Sequence, residues 1–291
     1  MEANRTMKTP HAWKARLLDG ATALCETLCG RRALNHLAAY CYWRSRGENL
    51  DDPERNGEFG VLKVAARGLL GVSPVAVDVG ANVGDWTNEF LRTNSGGRVY
   101  AFEPAAETFA QLRRRFAADG RIACQPLAIS DRAGEARMAV WPDYSGSNSM
   151  HDFVGGAGMR MEKVETVTGD DVLRSHGLAK IDWLKIDVEG HEIQVLRGFR
   201  RSLEERRIRF VQWEYNKTWI AARTSLRDAF ELLEPAGYKL CKLRPKSPLR
   251  YTRYRAALDN YCYSNWLAIT EEDYPRFAAL TKPDERTGDD W

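Results

Sequence analysis

Apolar and polar positions along the chain alternate between two periods. Short, nearly continuous apolar runs at 75–77, 98–102, 122–127, 181–190 and 210–217 read as buried strands. Between them, 85–92, 105–118, 192–203 and 226–233 carry apolar residues at helical spacing, and 59–70 reads as a helix ahead of the first strand. Strands alternating with helices predict a doubly wound α/β sheet, mostly parallel. Segments 238–243 and 265–270 close it as an antiparallel pair, and 135–141 and 164–167 are extra strands. Ahead of this pattern, Leu34, Leu37, Ala38 and Cys41 fall at i, i+3, i+4 and i+7, so 11–46 reads as two helices broken at Gly30 and stopped at Gly47. The expected organisation is an N-terminal helical appendage or lid over 1–70, a ligand-binding domain over 71–275 and a polar tail over 276–291. The charges of the appendage (Arg31, Arg32, Arg44, Arg46) are read as facing water, with a membrane-surface or partner helix as the sharper alternative. The polar link after it is read as a solvated linker, with Asn56 and Glu58 as candidates for a lid in the alternative.

Composition narrows this picture. The 291 residues are 44% hydrophobic and 29% charged, as expected of a soluble globular protein with a real core. A net charge of +3 gives no reason to expect nucleic acid as a partner. Six cysteines lack metal-ligand spacing, so neither zinc nor a disulfide framework is expected. Residues 1–10 contain no apolar leader, and no run approaches a membrane span. The expectation is a cytoplasmic protein without a membrane partner, its oligomeric state left open. Two tracts stand apart: a polar loop over 143–150 and 155–158, expected to cover a substrate, and a basic, aromatic segment from Arg244 to Arg255. The latter is read as a solvated loop, with anion binding as the alternative.

The chemistry gathers at strand ends. The turn Asp78-Val79-Gly80-Ala81-Asn82-Val83-Gly84 joins the first strand to a helix, and its small residues let a ligand approach the backbone. Glu103-Pro104 ends the second strand about twenty residues later, where an acidic residue accepts hydrogen bonds from ribose hydroxyls. Ser130 and Asp131 end the third strand, as base contacts or simply as a turn. On the strand 181–190, alternation puts Lys185, Asp187 and Glu189 on one face; three ionisable groups there are costly unless paired or used. Gln212, Glu214 and Asn216 repeat the design on the next strand.

With these residues assembled, the chain resembles the FkbM-type methyltransferases, which use S-adenosylmethionine (SAM). The resemblance rests on Asp78 to Gly84, on Ala101-Phe102-Glu103-Pro104, and on Leu184-Lys185-Ile186-Asp187-Val188-Glu189-Gly190-His191-Glu192. Glu214 and Asn265-Trp266-Leu267-Ala268 give weaker support, and Asn82 departs from the broad D-x-G-x-G-x-G pattern in a way that family allows. The resemblance implies a Rossmann-like class I methyltransferase fold, a seven-stranded sheet with its last strand antiparallel. It places Gly80, Asn82, Gly84 and their neighbours beside the methionine part of SAM, Glu103 and Pro104 at the ribose, Asp78 near the amino group, Ser130 and Asp131 near adenine, and Asp187 beside the cofactor. The acceptor it implies is a hydroxyl on a small molecule, a sugar or a polyketide-like product; the basic segment points to a phosphorylated, nucleotide-linked or carrier-bound form.

Methyl transfer to oxygen needs alignment and removal of one proton. Asp187, Glu189, His191 and Glu214 are the candidate bases, with Asp187 or Glu214 preferred, and Lys185 is placed to steady the developing alkoxide. Asp187, Glu189, Glu214 and Asn216 also offer oxygens that could hold Mg²⁺. Two rival readings are a nicotinamide-dependent oxidoreductase, whose glycine fingerprint this turn lacks, and a non-catalytic Rossmann-like binding domain.

Overall fold

The computed structural model describes residues 12–141, 146, 148–151, 158–244, 247–251 and 253–286. The chain divides into two compact units, Met1–Arg46 and Gly47–Trp291. The first contains helices α1 (Ala12–Cys29) and α2 (Arg31–Arg46), separated at Gly30, whose φ of +79° ends α1.

The second unit begins with α3 (Glu58–Gly68), β1 (Val75–Val79), α4 (Asp85–Thr93), β2 (Arg98–Phe102), α5 (Ala106–Arg115) and β3 (Ile122–Gln125). It continues through β4 (Ala128–Ser130), β5 (Gly134–Val140), β6 (Arg160–Thr168), α6 (Gly169–Ser175), β7 (Ile181–Ile186), α7 (Glu192–Gly198) and α8 (Arg200–Glu204). The remainder is β8 (Ile208–Tyr215), α9 (Thr218–Ala222), α10 (Leu226–Leu233), β9 (Tyr238–Lys242), β10 (Leu249–Tyr251), β11 (Ser264–Thr270), α11 (Tyr274–Thr281) and β12 (Asp284–Arg286).

The large sheet has the order β12-β10-β9-β11-β8-β7-β1-β2-β3. Strands β3, β2, β1, β7 and β8 are parallel, and β11 runs antiparallel between β8 and β9. That is the class I methyltransferase arrangement with an antiparallel strand inserted next to the edge. Its seven strands are extended to nine among the described residues, which corrects the expected count. β10 pairs with the open edge of β9, and β12 pairs with β10. Part of the basic segment, read as a solvated loop, and part of the polar tail form these two strands because an uncovered edge offers unpaired backbone groups. Arg244 Nη2 lies 2.7 Å from Asp284 Oδ2, and the Arg250 guanidinium sits 4.9 Å over the Tyr274 ring. Lys246 and most of the loop expected to cover a substrate lie outside the described residues.

Alternation along the central strands sends side chains to two cores. Val77, Val79, Leu184, Ile186, Val211 and Trp213 meet α6, α7 and α10 on one face. Ala76, Val99, Ala101, Trp183 and Phe210 meet α3, α4 and α11 on the other. Parallel strands buried on both faces need continuous apolar runs, and the polar exceptions are therefore informative. Asp78, Lys185 and Gln212 sit side by side in register across β1, β7 and β8, on the face where Trp183 and Phe210 lie. β7 stops at Ile186, four residues before the expected end, and β3 stops at Gln125. Residues 128–130 instead begin a separate sheet of order β4-β6-β5, which contains the extra strands read at 135–141 and 164–167.

Candidate active site

The first crossover is built on backbone that needs glycine. Gly80 has φ +79°, and a Cβ there would lie 1.8 Å from the Asp187 carbonyl oxygen. The N–H groups of Gly80 and Ala81 donate to the Phe102 carbonyl at 3.0 and 2.9 Å, so the turn is tied to the end of β2. Asn82, also left-handed at φ +49°, donates its N–H to Glu103 Oε2 at 3.0 Å. Ala105 N–H donates to Glu103 Oε1 at 2.9 Å. Burial pushes the Glu103 carboxyl up to about 7, against these two donors. Gly84, at φ +88°, serves packing: a Cβ there would lie 2.3 Å from the Phe116 ring and 2.8 Å from Leu112, where α4 closes on α5. Asp78 accepts from Thr87 Oγ1 at 2.6 Å, joining β1 to α4, and burial raises it to about 6.

At the end of β7 the chain turns sharply. Glu189 has φ +49° and Gly190 φ +102°, where a Cβ on Gly190 would lie 2.9 Å from the Thr218 carbonyl. Glu192 reaches back from the first turn of α7 to accept from Val188 N–H and Gly190 N–H at 3.2 and 3.3 Å. Asp187 and Glu189 are thus presented by a turn, not by strand alternation, which corrects the face assignment made from the sequence. Burial raises Glu192 to about 8.

This turn delivers carboxylates to the end of β8. Oxygens of Asp187, Glu189 and Glu214 lie within 4.8 Å of one another. The Asn216 amide donates to Glu189 Oε2 at 3.2 Å and to Glu214 Oε1 at 2.5 Å, and its own oxygen accepts from Thr218. Lys185 Nζ, itself 2% exposed, donates to Asp187 Oδ2 at 2.9 Å and lies 3.3 Å from Glu58 Oε1. Gln212 links this group to the core, donating to Glu58 and accepting from Trp183 Nε1. Burial alone would lower the Lys185 pKa, but Asp187, Glu58 and Glu214 outweigh it and hold the ammonium charged. Burial, then Asp187, raises Glu189 to about 7. Burial, then Asp187 and Glu189, pushes Glu214 well above the carboxylate range.

A cavity of about 250 Å³ joins the two regions. Gly80, Asn82, Glu103, Pro104, Asp187, Glu189, His191 and Glu214 line it. So do the apolar Phe102, Leu127, Ile129, Met138 and Met150, and Tyr263 closes the carboxylate end. Asp78, Gly84, Ser130, Asp131 and Lys185 are not part of the lining; Asp131 is exposed, and Ala128 and Ile129 occupy the wall where Ser130 was expected. Ser130 Oγ instead lies 2.9 Å from His191 Nε2, and His151 Nε2 lies 3.1 Å from His191 Nδ1. Both ring nitrogens of His191 are therefore occupied, and burial with His151 beside it lowers its pKa to about 4. Met150 belongs to the loop expected to cover a substrate, whereas Met138, His151 and Tyr263 were not singled out from the sequence, since only tertiary contact brings them here. Glu58, a lid candidate in the alternative reading of its linker, is a partner of Lys185.

A sequence profile of the methyltransferase FkbM domain matches residues 78–240, more than half of the chain. The chain is 34% identical over 157 residues to the 31-O-demethyl-FK506 methyltransferase FkbM of Streptomyces tacrolimicus, covering 43% of this chain and 58% of that protein. It is 29% identical over 160 residues to the hexuronic acid methyltransferase AglP of Haloferax volcanii, covering 55% and 61%. It is also 29% identical over 160 residues to the 2-O-methyltransferase NoeI of Sinorhizobium fredii, covering 49% and 63%. The match thus spans about three fifths of the length of these relatives. A cavity at the carboxyl ends of β1, β2 and β7, a class I strand order and the profile match over the motifs that line the cavity agree: the chain belongs to the FkbM family of SAM-dependent methyltransferases.

Proposed function

We propose that the chain is an O-methyltransferase acting on a hydroxyl of a small molecule, a sugar or a polyketide-like product. The observation that carries this reading is a single cavity with two chemically distinct ends, one apolar with a ribose-type carboxylate and one lined by clustered carboxylates beside a buried ammonium. SAM suits the first end. Gly80 places no side chain between the turn and the cavity, and Gly80 and Asn82 would hold the methionine part. Each Glu103 oxygen accepts one backbone N–H and keeps acceptor capacity for ribose hydroxyls. Phe102, Leu127 and Ile129 offer an apolar slot to adenine. Bound there, SAM supplies an activated methyl group, which the acceptor oxygen takes as the carbon–sulfur bond breaks.

The proton of that hydroxyl needs a base poised near the working pH. Asp187 is engaged by Lys185, and Glu214 accepts from the Asn216 amide and is pushed well above the carboxylate range by burial and its neighbours. Neither His191 nitrogen is open to an acceptor. Glu189, raised to about 7 and lining the cavity, is the group that fits, and we assign it the proton in place of the Asp187 or Glu214 preferred from the sequence. The Asn216 amide, which donates to it, orients it; Lys185 provides fixed positive potential near the developing alkoxide. We assign the carboxylate cluster to Lys185 and the Asn216 amide rather than to Mg²⁺, because both already donate into it. Arg244 and Arg250 make contacts within the protein, which favours an uncharged acceptor over a phosphorylated one.

The test is a thermal-shift titration followed by product analysis. S-adenosylhomocysteine is expected to stabilise the protein and NAD is not. Mass spectrometry of reactions with hydroxylated acceptors is expected to show a gain of one methyl group on oxygen. A folded protein that responds to NAD and not to S-adenosylhomocysteine would overturn the reading.

A further inference from the structure

The pair α1 and α2 shows an unusual surface. Of the twelve large apolar side chains exposed among the described residues, eight lie on these two helices. From Leu17 to Ser45 only Glu26, Leu34 and Ala39 are even half-buried. Leu17, Leu24 and Leu28, at i, i+7 and i+11, form one stripe on α1, and Leu28 is 77% exposed. On α2, Leu37 and Tyr40 are exposed one turn apart, with Trp43 a further turn on. Helices of this length gain most of their stability from covering such a face, so bare stripes call for a cover.

Charge says which cover. Residues 1–46 contain eight Lys and Arg against three Asp and Glu, a net +5, while the whole chain is only +3. The positive charge of the protein is therefore concentrated in this unit, and the rest is net negative. A second copy docking on these stripes would bring Arg31, Arg32 and Arg44 toward their own counterparts, with only Asp19 and Glu26 among the described residues of the two helices to offset them; Glu26 is already paired with Arg31. An anionic lipid surface meets both demands, since it covers Leu side chains and attracts exposed Arg. Tyr40, Tyr42 and Trp43 beside Arg44 are the amphipathic rings that settle at headgroup depth. No helix among the described residues is long and apolar enough to cross a membrane, so the helices would lie in the plane of the interface.

We propose that α1 and α2 form a docking surface for anionic membrane, with Leu17, Leu24, Leu28 and Leu37 entering the acyl boundary and Arg32 and Arg44 at the headgroups. The test is co-sedimentation of the full chain with vesicles of phosphatidylcholine containing about one-third phosphatidylglycerol, against phosphatidylcholine alone. Binding is expected only to the anionic vesicles, falling as salt is raised. The variant Leu17→Ser/Leu24→Ser/Leu28→Ser and the variant Arg32→Glu/Arg44→Glu should each bind at least about tenfold less. Both change exposed side chains, and circular dichroism with an unchanged response to S-adenosylhomocysteine verifies that they fold. Light scattering of the same samples completes the test. A dimer dissolved by the leucine variant, without vesicle binding, would overturn the proposal in favour of self-association. Failure to bind anionic vesicles, or equal binding to neutral ones, would overturn it as well.

Discussion

Glu189 combines a left-handed backbone with a carboxyl held near neutrality, and neither comes without help from its surroundings. Glu189→Gln keeps the Asn216 neighbourhood and removes the proton acceptor. Turnover is expected to fall by about 10²-fold or more, with S-adenosylhomocysteine affinity retained in calorimetry; full turnover would remove Glu189 as the base. The pH profile gives an independent check. A base must be ionised, so kcat/KM should rise with pH through about 7. The negative charge of Asp187 contributes to that raised value, and Asp187→Asn also leaves Lys185 less screened. Both changes favour ionised Glu189, so the rising limb of Asp187→Asn should move to lower pH. A shift in the opposite direction would assign the limb to another group. Because Lys185 and Asn216 fill the cluster, exhaustive dialysis against a chelator is expected to leave turnover unchanged; loss of turnover restored by Mg²⁺ would return the cluster to a metal.

At the scale of elements, the two turns at the ends of β1 and β7 depend on each other. Gly80 passes so close to the Asp187 carbonyl that Gly80→Ala adds a clash to a positive-φ penalty of about 1–2 kcal/mol. The expected result is a lower Tm together with loss of the S-adenosylhomocysteine response, because the base-bearing turn must move. Gly84→Ala meets only the Phe116 and Leu112 side chains away from the cavity, so its Tm should fall while the response persists. Equal loss of response in both would place Gly84 at the ligand. The sequence revealed the first of these turns directly, since glycines between an apolar run and a helix have few other uses. It concealed the second: Lys185, Asp187 and Glu189 alternate like strand residues, and only Gly190 marked that the strand must end. Helices and central strands were legible because their apolar spacing is local. β10 was not, because Leu249 and Tyr251 alone give too little pattern, and the strand exists through the free edge of β9. The Ser130–His191–His151 contacts span 40 and 61 residues of sequence, a distance over which periodicity carries no information.

For the molecule as a whole, the site imposes a pH dependence on stability. Glu103 and Glu192 are buried and Glu189 is half-buried, with carboxyls raised to about 7, 8 and 7 respectively. A carboxyl raised in the folded state favours folding while it is protonated, and that advantage is lost as pH rises through its folded pKa. Histidine works in the opposite sense: His191, lowered from 6.5 to about 4, disfavours folding in acid but has no further effect once unfolded histidine is neutral. Between pH 6.5 and 8 the raised carboxyls therefore act nearly alone, and the Tm of the unliganded protein should fall across that window. Of these three, Glu192 sits deepest, with Oε2 buried and without a hydrogen-bond partner, and has the highest carboxyl pKa. Its share of the loss is about 2 kcal/mol over these 1.5 pH units. Glu192→Gln preserves an oxygen for the Val188 and Gly190 N–H groups while removing the titration, so its Tm should decline less steeply and exceed the parent's near pH 8. A parent Tm that is flat or rises from pH 6.5 to 8 would mean that these carboxyls ionise in the folded protein at ordinary values, and the assignment of Glu189 as a base poised near neutrality would fall with it.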